Sequence, residues 1–242
     1  MKLAWDRLVK WTLIFSAFCS LLWAYNTGAF DFILEYPGDF RVLVVQHLKL
    51  IGLSGLLAIV VAVPLGLLVT RPGFKKLQWI VVNFANIGQT IPSLAILALA
   101  MSYMGFQTAV FALWVNSLLP IIRNTIVGIE GVDPAVLDAG RGMGMSQRQI
   151  LFKLELPNSL YAIMAGIRTS MVINVGTATL GFLIGGGGLG DLIFTGISLN
   201  DMGIMLSGAI PVIFLALIVD FLIGGVEKIV VPKGLQRNVN LI

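Results

Sequence analysis

Charge is what this chain has least of. Of its 242 residues, only 12% are Asp, Glu, Lys or Arg, about half the share found in soluble domains, while 57% are hydrophobic. So little polar surface cannot cover a water-soluble globule, which excludes a soluble enzyme and a disordered chain. Cysteine is nearly absent: Cys19 alone has no intramolecular partner, which excludes a disulfide-built secreted scaffold. Histidine also occurs once, as His47, so the several N or S ligands of a zinc site are missing and no metal site is expected. No P-loop sequence of the form G-x-x-x-x-G-K-[ST] is present, so ATP is not expected to bind this chain by that route. An intramembrane enzyme lacks its tools as well, since there is no H-E-x-x-H and no Ser–His pair. Basic runs are absent too. The net charge of +4 fits the Lys and Arg collected by cytoplasmic loops, and no nucleic acid partner is expected.

What the chain has instead is long charge-free stretches: Trp11–Phe30, Leu50–Thr70, Leu77–Ile122, Thr169–Gly190 and Met202–Val219. A span takes about 20 residues. The third stretch suits two spans, broken near Met104-Gly105-Phe106-Gln107, where glycine and a polar residue favour a turn. Only Arg168 interrupts the apolar pattern upstream of Thr169, so that span starts near Ser159. The expected fold is all-α: a polytopic membrane bundle of about six transmembrane helices at 9–28, 46–70, 79–102, 106–123, 159–184 and 203–226. Residues 1–45 form an N-terminal anchor helix with an external loop. Residues 46–226 form a core of five helices carrying a cytoplasmic loop at 123–158, and 227–242 form a short cytoplasmic tail. With both termini inside, thirteen of the 16 Lys and Arg face the cytoplasm, Arg41 and Lys49 face outward, and Arg168 lies within a span. Lys2, Arg7 and Lys10 before an apolar run also suit a signal peptide. No A-x-A-like cleavage site follows, so a retained anchor is expected.

The largest polar region runs from Arg123 to Asn158. Asp133-Pro134 is an N-cap followed by proline at the first helical position, opening a short helix through Asp138. Glycines at 140, 142 and 144 are expected to break or turn the chain. Ser146-Gln147-Arg148-Gln149 has the capping-box pattern and opens a second helix with Ile150, Leu151 and Leu154 on one face. Pro157 is expected to end it. By composition alone, this is also what an amphipathic loop on lipid headgroups looks like.

The spacing adds to this. Asp138-Ala139-Gly140, three residues, Gly144, nine residues, Leu154-Glu155-Leu156-Pro157 resembles the EAA loop of bacterial ABC importer permeases, E-A-A-x3-G-x9-I-x-L-P. Asp138 stands for Glu, Gly140 for Ala and Leu154 for Ile, each keeping charge, smallness or apolarity. Over residues 45–226, Gln89-Thr90-Ile91-Pro92-Ser93-Leu94, the stretch Leu119 to Thr125, Asp138 to Met145, and Gly185-Gly186-Gly187-Gly188-Leu189-Gly190 are similar to osmoprotectant permeases. The resemblance implies a fold like the type I importer permeases. It also implies a coupling helix docked on a separate ATPase, with Asp138, Ala139, Gly140, Gly144, Leu154, Leu156 and Pro157 forming the docking segment. Ala139 and Gly140 are small enough to let such a helix seat deeply against its partner. Further partners implied are an extracytoplasmic solute-binding protein and a second permease copy or a similar permease. Membrane lipid surrounds the chain. No cofactor is expected on it, because ATP is bound and hydrolysed by the partner subunit.

Ionisable groups within spans mark functional sites. Arg168 and Asp220 lie at similar depth, and an ion pair between them, functional or a structural clamp, is open to both. Gln89, Thr90, Pro92 and Ser93 in the third helix, with Asn174 in the fifth, are candidates to line the pathway. Interhelical hydrogen bonding explains them equally. Gly185, Gly186, Gly187, Gly188 and Gly190 formally satisfy G-x-G-x-x-G. A dinucleotide site needs a preceding strand, and a membrane helix precedes them, so a sharp reversal before a short gate helix at Asp191 or a plain tight turn is expected. The reading reached is a permease subunit of an ABC importer in the bacterial inner membrane, multi-pass and not itself an enzyme. Its cargo is expected to be glycine betaine, carnitine, choline or a similar solute. The alternatives are amino-acid or other small-solute cargo, or an ATP-independent channel or carrier.

Overall fold

Residues 9, 11, 12, 15, 16, 19, 22–91, 105–232 and 234 are described by a computed structural model, and among them every regular element is helical. Residues 22–26 are helical and end in a turn at 27–30. α1 (Asp31–Glu35) is followed at once by α2 (Pro37–Val69). Proline at the first helical position and Asp39 in the first turn both favour a helix start there. This corrects two expectations: residues 29–45 are not mainly loop, and the helix does not begin at 46. Asp39, Arg41 and Lys49 interrupt the apolar run without interrupting the helix, so a search for charge-free windows stops short. At 33 residues α2 is about 50 Å long, well beyond the ~30 Å hydrocarbon layer.

α3 (Lys75–Thr90) stops where Ile91 turns extended, with ψ 122°, the geometry imposed on a residue before proline. The unbroken helix expected over 79–102 therefore ends at Thr90. Pro92, Ser93 and the remainder of that span lie outside the described residues. Where a turn is expected, the described chain resumes with a bend at Gly105, whose φ of 133° suits only glycine. α4 (Phe106–Glu130) follows and continues past the expected end at 123, carrying the exposed Arg123 on a helical surface. Next come α5 (Pro134–Gly142), α6 (Gln147–Ile150), a π turn (Leu151–Glu155), α7 (Leu156–Thr177), a 3₁₀ turn (Ala178–Ile184), α8 (Gly190–Leu199) and α9 (Met202–Val230).

Pro157 does not end a helix, which corrects another expectation: Gln147–Ile184 runs on as one 38-residue helical segment. Proline inside a helix loses one hydrogen bond and crowds the carbonyl four residues back. The π turn immediately ahead widens the helix where that crowding would fall.

α4 lies at the centre, packed on α2, α3 and α7, while α9 packs on α7 and α8. The buried faces meet in two apolar clusters, one around Ala58, Ala62, Ile121, Ile122 and Ile163, the other around Leu50, Ala109, Leu113, Val175 and Leu189. Small residues bring the helices close, as membrane packing requires. At Gly166 of α7, an added Cβ would stand 2.6 Å from Asn124 Cβ on α4. Ser170 Oγ donates to Ser117 O at 2.8 Å across the same contact. Among the described residues, four helices are long and apolar enough to cross a membrane: Pro37–Val69, Phe106–Glu130, Gln147–Ile184 and Met202–Val230.

Candidate functional site

The polar loop forms a knob on one end of the bundle. Asp133 Oδ1 accepts from Ala135 N at 2.9 Å, so the cap expected from Asp133-Pro134 starts α5. The helix runs through Gly140 without breaking and ends at Gly142, and the chain turns at Met143 and Gly144, the latter with φ 74°, so Gly140 does not break the chain as expected. The capping box is formed on both sides: Ser146 Oγ accepts from Gln149 N at 3.3 Å, and Gln149 Oε1 accepts from Ser146 N at 2.8 Å. Ile150 is buried, and the chain passes through the π turn and Leu156-Pro157 into α7.

Within the knob, outward and inward residues separate cleanly. Asp138 and Ala139 are exposed, and Asp138 Oδ1 accepts from Arg141 Nη1 at 2.8 Å across one helical turn. Met143 is 74% exposed, giving this polar face an apolar tip. Gly140 points the other way. It is buried, and a Cβ there would come within 2.5 Å of Leu154 Cδ1 and 3.3 Å of Met145 Sδ. This corrects the idea that Gly140 seats against a partner: its smallness lets α5 close onto Leu154 of its own chain. Knob and α7 are thereby packed into one unit.

Beneath the knob lies a contact that the sequence pattern does not flag. Arg71, just past the end of α2, places Nη1 2.6 Å from Glu155 Oε2 in the π turn, and both side chains are largely covered. Arg71 Nη2 also donates to Thr70 Oγ1 at 3.0 Å. Glu155 occupies a variable slot of the motif, so spacing gives it no weight. Its apolar neighbours Leu154 and Leu156 were the only hint.

The intramembrane charges do meet. Arg168 Nε and Nη2 donate to the two carboxylate oxygens of Asp220 at 2.5 and 2.6 Å, with Glu227 3.8 Å from Nη1. This fork ties α7 to α9 and borders a cavity of about 450 Å³ lined by Leu217, Phe221 and Gly224.

Of the pathway candidates, the side chains of Asn174 and Thr90 are described. Asn174 is buried, and its Nδ2 donates to Ser54 Oγ on α2 at 2.8 Å, the interhelical hydrogen bond that the sequence leaves open beside a pathway role. Thr90 is exposed and donates to its own helix at Ile87 O. Pro92, Ser93 and the Gln89 side chain lie outside the described residues.

The glycine run is a tight reversal between the 3₁₀ turn and α8. Gly185, Gly187 and Gly188 have φ of 77°, 71° and 90°. Gln46 Oε1 of α2 accepts from Gly188 N at 3.0 Å. An added Cβ at Gly187 would strike that same amide oxygen. His47, fully buried beside it, has Nε2 3.1 Å from Val175 O. Gly186 lies against Ala109, and Gly190 against the Thr179 carbonyl. Among the described residues no cluster of three or more His, Cys, Asp or Glu could hold a metal ion.

The family model described as a binding-protein-dependent transport system inner membrane component matches residues 62–231. The carnitine transport permease protein OpuCB of Listeria monocytogenes is 45% identical over 194 residues, covering 79% of this chain and 88% of that one. The choline transport system permease protein OpuBB of Bacillus subtilis is 40% identical over 209 residues, 86% of this chain and 95% of that one. Among solved structures, an inward-facing MetNI methionine ABC transporter aligns with a TM-score of 0.69 and 25% identity, covering 80% of this chain and 96% of that chain. With a matched region that takes in the knob, the π turn and the glycine reversal, the chain belongs to the family of binding-protein-dependent transport inner membrane components, the permease subunits of ABC importers.

Proposed function

We propose that this permease moves quaternary ammonium osmoprotectants, such as glycine betaine, carnitine or choline, into the cytoplasm, driven by ATP hydrolysis on a separate subunit. The exposed knob of α5 and α6 carries the reading, being packed through Gly140 and Leu154 into the helix that becomes α7. A partner pressing on that knob moves a membrane helix with no soft joint between them. The ATPase seats on Asp138, Ala139 and the Met143 tip, with Gly144, Leu154, Leu156 and Pro157 shaping the segment from within. ATP stays on that partner, and this chain carries no cofactor. The Lys and Arg distribution supports both termini in the cytoplasm of a bacterial cell, and hence the knob there too. A second permease chain supplies the other half of the pathway, and a binding protein outside delivers solute. The cargo is supported by relatives named for carnitine and choline transport. A second cargo class, methionine or another amino acid, is favoured by the likeness to the methionine transporter.

Two measurements test this. Ala139→Cys should cross-link to the ATPase in the assembled transporter, and a knob that cross-links to nothing sinks the coupling role. Uptake of labelled betaine should be competed by carnitine or choline and not by methionine. The reverse pattern assigns the second cargo.

A further inference from the structure

We propose that Arg71 is a positioning residue for coupling: its ion pair with Glu155 makes α2 follow the knob when the ATPase moves it. This rests on the coupling role proposed above. The knob already has covalent continuity with two transport helices, α4 through Glu130–Asp133 and α7 through the π turn. It has none with α2, which enters a different loop. Arg71 supplies that third link. Its guanidinium holds Thr70 at the end of α2 with one nitrogen and Glu155 with another, at 3.0 and 2.6 Å.

Three features set this pair apart from an incidental surface contact. Both side chains are mostly covered, at 22% and 13% exposure, unlike the neighbouring Asp138–Arg141 pair at 70% and 58%. Exposed pairs are worth little, whereas a covered charge depends on its partner. Glu155 also closes the π turn, an irregular stretch of the kind that gathers at functional positions. Finally, Leu154, the residue before Glu155, receives Gly140 of α5, so the anion is attached to the knob's own packing. Displacing α5 displaces Glu155, and Arg71 carries that displacement to the end of α2. The helix it pulls packs along α4 and α7, so the three move in concert.

The test uses the full transporter with its ATPase and binding protein, reconstituted in vesicles, and reads solute imported per ATP hydrolysed. Arg71→Gln and Glu155→Gln should each lower that ratio at least tenfold, and Arg71→Lys should retain most of it. The double exchange of Arg71→Glu with Glu155→Arg should restore it. A wild-type ratio in either single variant overturns the proposal. Should a single variant fail to assemble, the double exchange decides: assembly regained without the ratio overturns it. Cross-linking of Ala139→Cys to the ATPase separates the two levels. With the cross-link formed and the ratio unaffected by Arg71→Gln, the link to α2 fails and the coupling knob stands. With no cross-link, both fail.

Discussion

Arg168 grips Asp220 with two parallel hydrogen bonds, at 2.5 and 2.6 Å, joining the middle of α7 to α9. The two parallel bonds fix both the distance and the orientation of the helices at that level. Removing either partner leaves a charge stranded at membrane depth. Arg168→Gln and Asp220→Asn should each lower the yield of folded protein several-fold, read by size-exclusion of the detergent-extracted chain. The exchange of both charges should recover much of it. Single variants that fold and transport normally would mean that α9 is held by its apolar contacts alone.

Gly140 is the tightest point of the knob. Gly140→Leu should destabilise the loop by roughly 1–3 kcal/mol, the usual penalty for overpacking. Solute uptake should fall with it while membrane insertion persists. Trimming the opposing side chain with Leu154→Ala should return part of the loss in the double variant. Hydrogen exchange of the α5 amides measures the loosening directly, and protection unchanged in Gly140→Leu would contradict the observed packing.

Asn174→Val removes a buried hydrogen bond to Ser54 rather than a pathway contact. Interhelical bonds of this kind are worth about 0.6 kcal/mol on average in membranes. The variant should therefore lose little stability, and its competition profile among betaine, carnitine and choline should be that of the parent. A changed solute preference would put Asn174 back on the pathway.

Gly187→Ala combines a positive φ with a collision against Gln46. The backbone penalty alone is about 1–2 kcal/mol, and Gln46→Ala should relieve only the collision. Thermal unfolding of the two single variants and the double measures each part. Equal melting of Gly187→Ala and the parent would exclude the close approach.

Much of the knob is legible because caps are local chemistry. Asp133 and Ser146 declare helix starts within four residues of themselves, and both form as read. Arg168 and Asp220 were found by depth alone, since two charges in apolar helices have few other partners. The failures share a different cause. Sequence shows that Gly140 is small and Asn174 polar, but not which way a helix turns them. Gly140 faces Leu154 where a partner surface is expected, and Asn174 faces Ser54, one of the two roles its polarity leaves open. Pro157 reads as a stop because the π turn that accommodates it leaves no mark in composition. Likewise, Asp39, Arg41 and Lys49 disguise the first turns of α2 as loop.

The length of α2 has a practical consequence. From Gln46, which holds the glycine reversal, to Val69, beside the Arg71–Glu155 contact, the helix climbs about 35 Å. That exceeds the ~30 Å oil layer even with moderate tilt. The helix is long enough to set its two working ends on opposite sides of that layer. A membrane-impermeant thiol reagent added to one compartment should reach a cysteine placed near one end and never the other, so each end can be interrogated without disturbing its counterpart.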